Sequence, residues 1–328
     1  MASSDVRELT RAGTSLAQPR KHALVRRGEL SVLQKVRRDW LLLLLMAPGV
    51  AILLVFVYLP NLGNIIAFQA YLPFLGFSSP FVGFDNFTKL FAAPAFWSAV
   101  RNTIVIAGMQ LILYFPVPII LALMLNSIIS NNVRRIIQSI IYLPHFISWV
   151  IIVALFQQIF GGAGVVDHMF RGIGLTAPTI TNSPDWFKWM MTIQLIWKEA
   201  GWGTIIYLAA LLSIPFELYE AAAVDGAGAW RRLWHITLPG IVGVTILLLI
   251  IRLGAILSVG FEQILLQRNA VGPEAGEILD TYVYYQGIAA GQYAMAAAAG
   301  LIKAIVGLAL ILGANKLAHR FGQPGLIS

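Results

Sequence analysis

Residues 220–239 read EAAAVDGAGAWRRLWHITLP and form a polar island between two long apolar runs. Seven positions carry its pattern, E-A-A-x3-G-x9-I-x-L-P: Glu220, Ala221, Ala222, Gly226, Ile236, Leu238 and Pro239. The simplest alternative is an amphipathic linker helix without a fixed pattern. Because apolar runs flank the island on both sides, we interpret it as a loop that joins two membrane-spanning helices.

The composition of the chain supports a membrane protein. It has 328 residues, of which 58% are hydrophobic and 12% charged, and its mean hydropathy is +0.77. A soluble domain is nearer half apolar and a quarter charged. Cysteine is absent, which excludes disulfides and thiolate metal sites, and the five histidines are scattered without metal-ligand spacing. The sequence therefore predicts an all-α protein in a bilayer, with no metal site.

The positive charge of the chain is concentrated at its start. The net charge is +8, and nine of the 23 Lys and Arg residues precede residue 40, directly before the first apolar run. A basic flank in this place suits the anionic cytoplasmic leaflet better than a nucleic acid. No small-residue cleavage signature follows the run, so we predict a retained span after a basic cytoplasmic segment, residues 1–39.

Six apolar segments are long enough to cross a bilayer, which takes about 20 residues. They are 41–59, 103–126, 136–160, 189–214, 239–261 and 295–315. An even number of spans puts both termini on one side of the membrane. With both termini inside, the inner segments hold 15 Lys and Arg and the outer loops hold five. Because cytoplasmic loops are enriched in these residues, this orientation places the island in the cytoplasm.

The island itself has the features of a helix that binds a partner. Pro215 precedes a helix-forming stretch, and Glu217 and Glu220 suit the positive end of its dipole. Its alanines make this helix thin enough to enter a groove. Gly226 allows a turn, and Pro239 begins the next span, so movement of the loop would pass into a spanning helix.

The outer segment 60–101 is rich in aromatic residues. Asp85, followed by an apolar stripe, predicts a short capped helix. The aromatic rings suit an interfacial belt at headgroup depth, and a lid that meets an external partner would have the same composition. Pro116, Pro118 and Pro144 lie within predicted spans, where they permit kinks that serve either a gate or a static bundle.

No catalytic motif is present. The sequence lacks the G-x-x-x-x-G-K-[ST] loop that cradles ATP phosphates, and it lacks the hydrolase and metalloprotease motifs. His145 and Ser148 lie close together without a matching acid, which favours helix packing over catalysis. Ionised side chains within spans usually face the protein interior or a water-filled cavity. Four fall inside the predicted spans: Lys198, Glu199, Arg252 and Lys303.

Several stretches resemble one family of transporters. The sequence is similar to the permease subunits of binding-protein-dependent ABC sugar importers, and most similar to the polysaccharide and oligosaccharide group. The similar stretches are NIIAFQAYLPFLGF at 64–77, VGFDNFTKLF at 82–91, IIYLPHFISWVI at 140–151, LIWKEAGWGTIIYLAAL at 195–211, ELYEAAAVDGA at 217–227, WHITLP at 234–239, SVGFEQIL at 258–265 and ANKLAHRFGQPGL at 314–325. Glu199 departs from the group's pattern, in which a small polar residue is more typical.

This resemblance implies a type I ABC importer fold and a set of partners. The expected domains are a transmembrane permease domain, 40–316, with a core of about 97–315 and a coupling loop at 215–239, then a cytoplasmic tail, 317–328. The expected partners are a second homologous permease, two ABC ATPase subunits that bind ATP and Mg²⁺, and an extracytoplasmic solute-binding protein. The complex would lie in the bacterial cytoplasmic membrane and carry a carbohydrate.

The resemblance also implies two sets of site residues. The ATPase-coupling set comprises Glu217, Glu220, Ala221, Ala222, Gly226, Ile236, Leu238 and Pro239. The substrate-pathway set is chosen because aromatic faces stack on sugars and amides pair with hydroxyls: Tyr71, Gln110, Trp149, Trp197 and Gln263. Two other functions stay open. An ion-coupled secondary transporter predicts internal repeats and intramembrane acids, and an intramembrane enzyme predicts a nucleophile with its base.

Overall fold

The computed structural model describes residues 36–175, 180–320, 322 and 325. The chain divides into two compact units, Met1–Asn61 and Leu62–Ser328. Most of the predicted basic segment, 1–39, and part of the predicted tail, 317–328, lie outside the described residues, so those two domain boundaries stay predictions.

In the first unit, α1 spans Trp40–Leu53 and continues through a π-helical turn, Leu54–Tyr58, into α2, Leu59–Leu62. Every side chain from Trp40 to Leu62 is exposed, and the helix is apolar on all sides. A uniformly apolar surface of this length suits contact with lipid or with other membrane helices. This matches the predicted first span.

The second unit is helical. Its helices are α3 Asp85–Ala92, α4 Pro94–Met109, α5 Pro116–Ser127, α6 Asn131–Tyr142, α7 Trp149–Phe160, α8 Val165–Gly172, α9 Pro184–Leu212, α10 Phe216–Val224, α11 Ala229–Arg232, α12 Leu238–Gly254, α13 Phe261–Leu265, α14 Arg268–Val271, α15 Pro273–Gly276, α16 Leu279–Tyr284 and α17 Tyr293–Arg320. Three 3₁₀ turns, Gly63–Phe68, Gly76–Ser78 and Leu143–Phe146, and three π-helical turns, Gln110–Tyr114, Leu233–Thr237 and Tyr285–Ala289, join them. Within the described ranges the only β pairing is one isolated bridge, Gln69 to Phe81. The predicted all-α class is confirmed.

Six segments in the described part of the chain are long and apolar enough to cross a membrane. They are Trp40–Phe68, Pro94–Ser127, Trp149–Gly172, Pro184–Leu212, Ala229–Gly254 and Tyr293–Arg320. The predicted number of spans is confirmed, and five of the six overlap the predicted ranges closely. Most of the helices extend past the apolar runs, because a helix continues into polar residues until a cap or a proline stops it. Arg101 and Lys188, two of the five Lys and Arg residues counted in the outer loops, consequently lie within helices.

The predicted third span, 136–160, is wrong. The helix breaks between α6 and α7, where Pro144 lies in a 3₁₀ turn and Ile147 and Ser148 are extended. Ser148 then caps α7 by accepting a hydrogen bond from the Ile151 amide (3.4 Å). Proline and a strong N-cap end one helix and start another, and an apolar run conceals both signals.

The other span prolines follow a π-helical turn. Pro116 begins α5, and the residue before it, Phe115, donates its amide to the Gln110 carbonyl (3.2 Å). This i+5 bond spaces the backbone so that the proline ring causes no break, and α4 continues into α5 as one span. The kink therefore has a static structural cause, which does not decide between a gate and a rigid bundle.

The predicted helix at Asp85 forms as α3, but its predicted cap is wrong. Asp85 is the first helical residue, and Phe84 precedes it without a side-chain cap. The Asp85 carboxylate instead pairs with Lys89 one turn later (2.8 Å). The anchor of α3 is Asn86, whose amide donates to the carbonyls of Ala67 and Gln69 (both 2.9 Å).

Helix α9 is central to the second unit, since it packs against α4, α5, α6 and α12. One apolar cluster joins it to α4 and α7 through Phe187, Met191, Ile106 and Ile152. A second cluster joins it to α5 and α12 near Tyr207. Inside a bilayer these side chains hold the helices together by van der Waals packing rather than by removal from water. The middle of α9 is thus held on several sides, and this packing positions the polar groups described below.

Candidate functional site

The polar island forms a short helix with a well-defined end. Helix α10 is followed by Gly226, whose φ is +73°. The Gly226 amide donates to the Ala223 carbonyl (3.1 Å), and the Ala227 amide donates to the Ala222 carbonyl (2.8 Å). These two bonds form a Schellman motif, which requires a left-handed residue and therefore favours glycine. The backbone conformation at position 226 therefore favours glycine, as the sequence predicted.

Helix α10 is connected to two spanning helices. It follows α9 after only three residues, 213–215. Its Tyr219 hydroxyl forms a hydrogen bond with the Thr237 hydroxyl (3.0 Å) at the start of α12. A groove of about 440 Å³ lies between these elements, and Leu218, Ile236 and Pro239 are among its lining residues. Displacement of α10 would consequently move the ends of both α9 and α12.

The outer face of the island carries exposed apolar side chains and two glutamates without a salt bridge to any described residue. Phe216, Val224 and Trp230 are 69%, 89% and 74% exposed. Glu217 and Glu220 are exposed, and neither forms a salt bridge with any described residue. Large apolar side chains that are exposed together are typical of a surface that another protein covers.

The structure brings the predicted coupling residues together at this end of the bundle, and their coupling role stays a prediction. Glu217, Glu220 and Ala221 are exposed on α10, while Ala222 is half-buried. Ile236 and Leu238 are half-buried, and Pro239 is exposed in the first turn of α12. Sequence reasoning missed Tyr219 and Thr237, which join the two halves of the loop. Their hydrogen bond spans 18 residues, so no local pattern indicated it.

A second polar region lies at the middle of α9. Lys198 is the fifteenth of the 29 residues of this helix, about 20 Å from either end at 1.5 Å per residue. Its Nζ donates to the carbonyls of His145 and Ile147 (both 2.6 Å). Backbone carbonyls freed at a helix break need partners inside a membrane. Lys198 is such a partner, since it holds the break between α6 and α7 against α9.

Beside this lysine, Glu199 and His145 form a second contact across the same break. The Glu199 carboxylate lies 2.8 Å from His145 Nδ1, and the imidazole stacks on the Trp202 ring at 4.3 Å. Both members of this hydrogen-bonded pair keep about a quarter of their side chains exposed, and Trp202 is 44% exposed. Lys198 and Glu199 use different hydrogen-bond partners, and their charged groups also lie 3.9 Å apart. Glu199, which departs from the family pattern, thus has a partner within this chain.

Arg252 of α12 lies near the same level. Its guanidinium donates to the Gln110 side-chain oxygen, and the Gln110 amide donates to the Val259 carbonyl (3.2 Å). The guanidinium also lies over the Tyr114 ring at 5.6 Å. Lys303, another cation within a predicted span, pairs with Asp280. Asp280 was not predicted, because it lies outside the apolar runs.

The predicted substrate-pathway residues do not gather at one place, and their role stays a prediction. Tyr71 packs edge-on to Tyr293 (5.9 Å) in the aromatic segment. Two tryptophans lie at the middle of α9. The Trp149 ring of α7 lies 5.6 Å from Lys198 Nζ, and Trp197, on α9 itself, is 39% exposed. Gln110, bonded to Arg252, is 1% exposed.

Gln263 is fully buried in an amide network. Its side-chain amide donates to the Met191 carbonyl (2.9 Å) and to the Gln194 side-chain oxygen (2.8 Å). Gln267 donates to the same Gln194 oxygen (3.0 Å). These bonds fasten α13 to α9, which makes Gln263 a structural residue in this conformation.

The end of the second unit around Asn102 is held by polar side chains too. Asn102 donates to the carbonyls of Glu274 (2.9 Å) and Glu277 (3.0 Å), and Arg268 pairs with the Glu277 carboxylate. Burial raises the pKa of the nearby Tyr282 phenol, and the charge of Glu277 raises it further. Among the described residues, no group of three or more His, Asp or Glu side chains could hold a metal ion.

Comparison with known proteins places these features in a family. Residues 114–323 match the family model described as "Binding-protein-dependent transport system inner membrane component". The chain is 45% identical over 299 residues to Protein LplB of Bacillus subtilis, covering 90% of this chain and 94% of that protein. It is 43% identical over 297 residues to the polygalacturonan/rhamnogalacturonan transport system permease protein YteP of the same species, covering 90% and 92%.

Two solved structures have the same fold. One is a bacterial alginate ABC transporter in complex with an alginate pentasaccharide-bound periplasmic protein, with a TM-score of 0.82 and 40% identity over 90% of this chain and 99% of that one. The other is a bacterial ABC transporter involved in the import of the acidic polysaccharide alginate, with a TM-score of 0.82 and 41% identity over 88% and 98%. The fold of the chain is therefore that of a type I ABC importer permease.

Proposed function

We infer the function from one premise: this chain belongs to the family of binding-protein-dependent transport system inner membrane components. It is a membrane-embedded permease subunit of an ABC importer. We propose that the importer carries oligosaccharides or polysaccharide fragments across the bacterial cytoplasmic membrane. The support is the relatives' printed cargo, polygalacturonan/rhamnogalacturonan in one and alginate in others. The family gives no support to the ion-coupled transporter or to the intramembrane enzyme.

The proposed complex contains three kinds of partner in addition to the cargo. A second homologous permease completes the membrane part, and an extracytoplasmic binding protein delivers the sugar, in keeping with the family's description. Two ABC ATPase subunits bind ATP and Mg²⁺, since this sequence has no P-loop of its own. The chain is thus a transport subunit and performs no hydrolysis.

The loop 215–239 is proposed as the ATPase contact, on the cytoplasmic side. The observation that carries this proposal is the exposed helix α10, which follows α9 after three residues and is bonded to the start of α12 through Tyr219 and Thr237. A thin helix of this kind fits a groove on a partner. Closure of the ATPases would then displace α10 and, through the Tyr219–Thr237 hydrogen bond, the spanning helices.

The cargo path is proposed to pass the middle of α9. This level carries half-exposed aromatic rings, Trp197 and Trp202, beside the Glu199–His145 pair. Aromatic faces stack on the CH groups of sugars, and carboxylates accept hydrogen bonds from hydroxyls. Of the predicted pathway residues, Trp149 and Trp197 lie at this level.

Replacing Glu220 with alanine tests the proposed ATPase contact. We expect ATP-driven uptake in proteoliposomes containing the full complex to fall about tenfold, which corresponds to a loss of about 1.4 kcal/mol. Thermal stability of the purified permease should not change, because Glu220 has no ion-pair partner within the chain. The matched control is Glu262→Ala, another exposed glutamate distant in sequence from the loop. Unchanged uptake in Glu220→Ala would refute the proposed contact.

Replacing Gly226 tests the role of the turn. A Cβ at this position meets no atom within 4 Å, so the cost of a side chain comes from the positive φ alone. We expect Gly226→Val to lose about 1–2 kcal/mol at the end of α10 and to impair ATP-driven uptake, whereas Gly226→Asn should retain most uptake. The measurement compares initial uptake rates of the two variants in the reconstituted complex. Equal rates in both variants would show that the left-handed turn is not what the glycine provides.

A further inference from the structure

A cavity of about 270 Å³ lies between the π-helical turn before α5, the middle of α9 and the outer part of α12. Its polar lining consists of Tyr114, Tyr207 and Arg252, and Gly203 lies on its wall. The cavity is slightly smaller than the range of about 300–1,000 Å³ typical of sites for drug-sized ligands. It therefore has room for about one sugar unit rather than for a whole chain.

The guanidinium of Arg252 has no carboxylate partner among the described residues. It donates to the neutral side-chain oxygen of Gln110, and it packs over the face of Tyr114. A guanidinium has five N–H donors in a planar fork, so this one contact leaves donors available. The fork matches the two oxygens of a carboxylate.

The charge of Arg252 is not balanced by a carboxylate of the described residues. Lys198 of α9 and Arg252 of α12 are both cations inside membrane-spanning helices. The carboxylate of Glu199 is already bonded to His145 at 2.8 Å and lies 3.9 Å from Lys198. A cation without a counter-charge inside a span is costly. The site would thus be stabilised by an anion.

Tyr207 forms part of the cavity wall. The residue is 2% exposed, and its hydroxyl has almost no accessible surface. The Thr245 hydroxyl beside it donates to the Ile241 carbonyl (2.9 Å), and its oxygen can still accept a hydrogen bond from the Tyr207 phenol. Tyr207 therefore encloses the cavity, and Tyr114 and Arg252 remain as the polar groups that a ligand could contact.

We propose that this cavity binds a carboxylate group of an acidic oligosaccharide, with Arg252 as its ionic partner and the Tyr114 hydroxyl as a hydrogen-bond donor. The proposal rests on the proposed function, and it names the chemical class of the cargo as uronate-containing sugars. Gln110 then acts as a positioning residue: it orients the guanidinium through a neutral contact and leaves its charge for the ligand.

The test compares a charged probe with a neutral probe of the same shape. Trigalacturonate and its methyl ester differ in the carboxylates alone, and both are titrated into the purified complex of permeases and ATPases in detergent. We expect Arg252→Gln to weaken trigalacturonate binding at least tenfold and to change binding of the ester less than twofold. Arg252→Lys, which keeps the charge without the fork, should lie between. Arg171→Gln, at an exposed arginine that pairs with Asp167 (2.8 Å), is the control and should bind both probes as the parent does.

Three outcomes would overturn the inference. The first is equal weakening of both probes in Arg252→Gln, which would make Arg252 a packing residue. The second is that the parent complex binds the acid and the ester equally well. The third is that trigalacturonate binding is lost only in variants that elute as aggregates, while Arg252→Lys binds it normally. ATP-driven uptake of a neutral oligosaccharide by the parent complex, measured in parallel, keeps the proposed function separate. The proposed function would stand in each of these three cases. It would fail only if the complex took up no saccharide.

Discussion

Replacing Gly201 with alanine is expected to prevent the second unit from packing normally. A Cβ built at this position collides with the carbonyl carbon and oxygen of Ile141 and lies 3.2 Å from the Tyr142 amide. These are backbone atoms of α6, so no side chain can move aside. Helices α9 and α6 would have to separate, at a cost of about 1–3 kcal/mol or more. Because α6 leads into the break held by Lys198, the defect would spread to the middle of the bundle.

The measurement is thermal unfolding of the purified permease in detergent, followed by tryptophan fluorescence, since the chain has nine tryptophans. The control is Gly313→Ala on α17, where a Cβ meets nothing within 4 Å. Alanine is favoured over glycine in a helix by about 1 kcal/mol, so this control should be neutral or slightly stabilising. Equal unfolding temperatures for Gly201→Ala and Gly313→Ala would contradict the close approach of α9 to α6.

Replacing Lys198 with methionine is expected to release the break between α6 and α7 from α9. The substitution keeps the length of the side chain and removes both hydrogen bonds to the carbonyls of His145 and Ile147. Hydrogen bonds from a charged group are worth about 1.5–3 kcal/mol each, and freed carbonyls in a bilayer add to the loss. We therefore expect a destabilisation of about 3 kcal/mol and at least a tenfold loss of ATP-driven uptake.

A single cysteine reports the release directly, because the chain has no cysteine of its own. Ile147→Cys places a thiol at the break, where the native side chain packs against the core. Maleimide labelling of this thiol should accelerate in Lys198→Met and return towards the parent rate in Lys198→Arg, which restores a cationic donor. Lys89→Met, which removes a surface ion pair worth less than about 1 kcal/mol, is the control. An unaltered labelling rate in Lys198→Met would show that the lysine does not hold the break.

The number of spans and the helix of the island could be predicted because each depends on neighbouring residues. An apolar run is long enough to cross a bilayer, and Gly226 ends a helix, whatever the rest of the chain does. The error in the third span has a related cause. The residues from Leu143 to Ser148 are mostly apolar, and hydropathy does not register the backbone consequences of Pro144 and Ser148.

The side-chain partners could not be predicted, because they join residues that are distant in the sequence. Lys198 contacts carbonyls 51 and 53 residues earlier, and Arg252 contacts Gln110 across 142 residues. Gln263 illustrates this limit of prediction from sequence. It was chosen as a sugar contact, but it is buried in a network with Gln194. An amide that binds a sugar and one that fastens two helices have the same sequence signal.

The sequence by itself determined the membrane class, the six spans and the island that marks the family, since these follow from composition, run length and spacing along the chain. Only the tertiary structure decided where the third helix breaks, that Glu199 faces His145, and that Arg252 lies in a cavity beside Tyr207 without a carboxylate partner among the described residues. The physical reason is that a charge in a membrane is defined by its surroundings. Helix packing supplies those surroundings, and packing is a property of segments far apart in the chain.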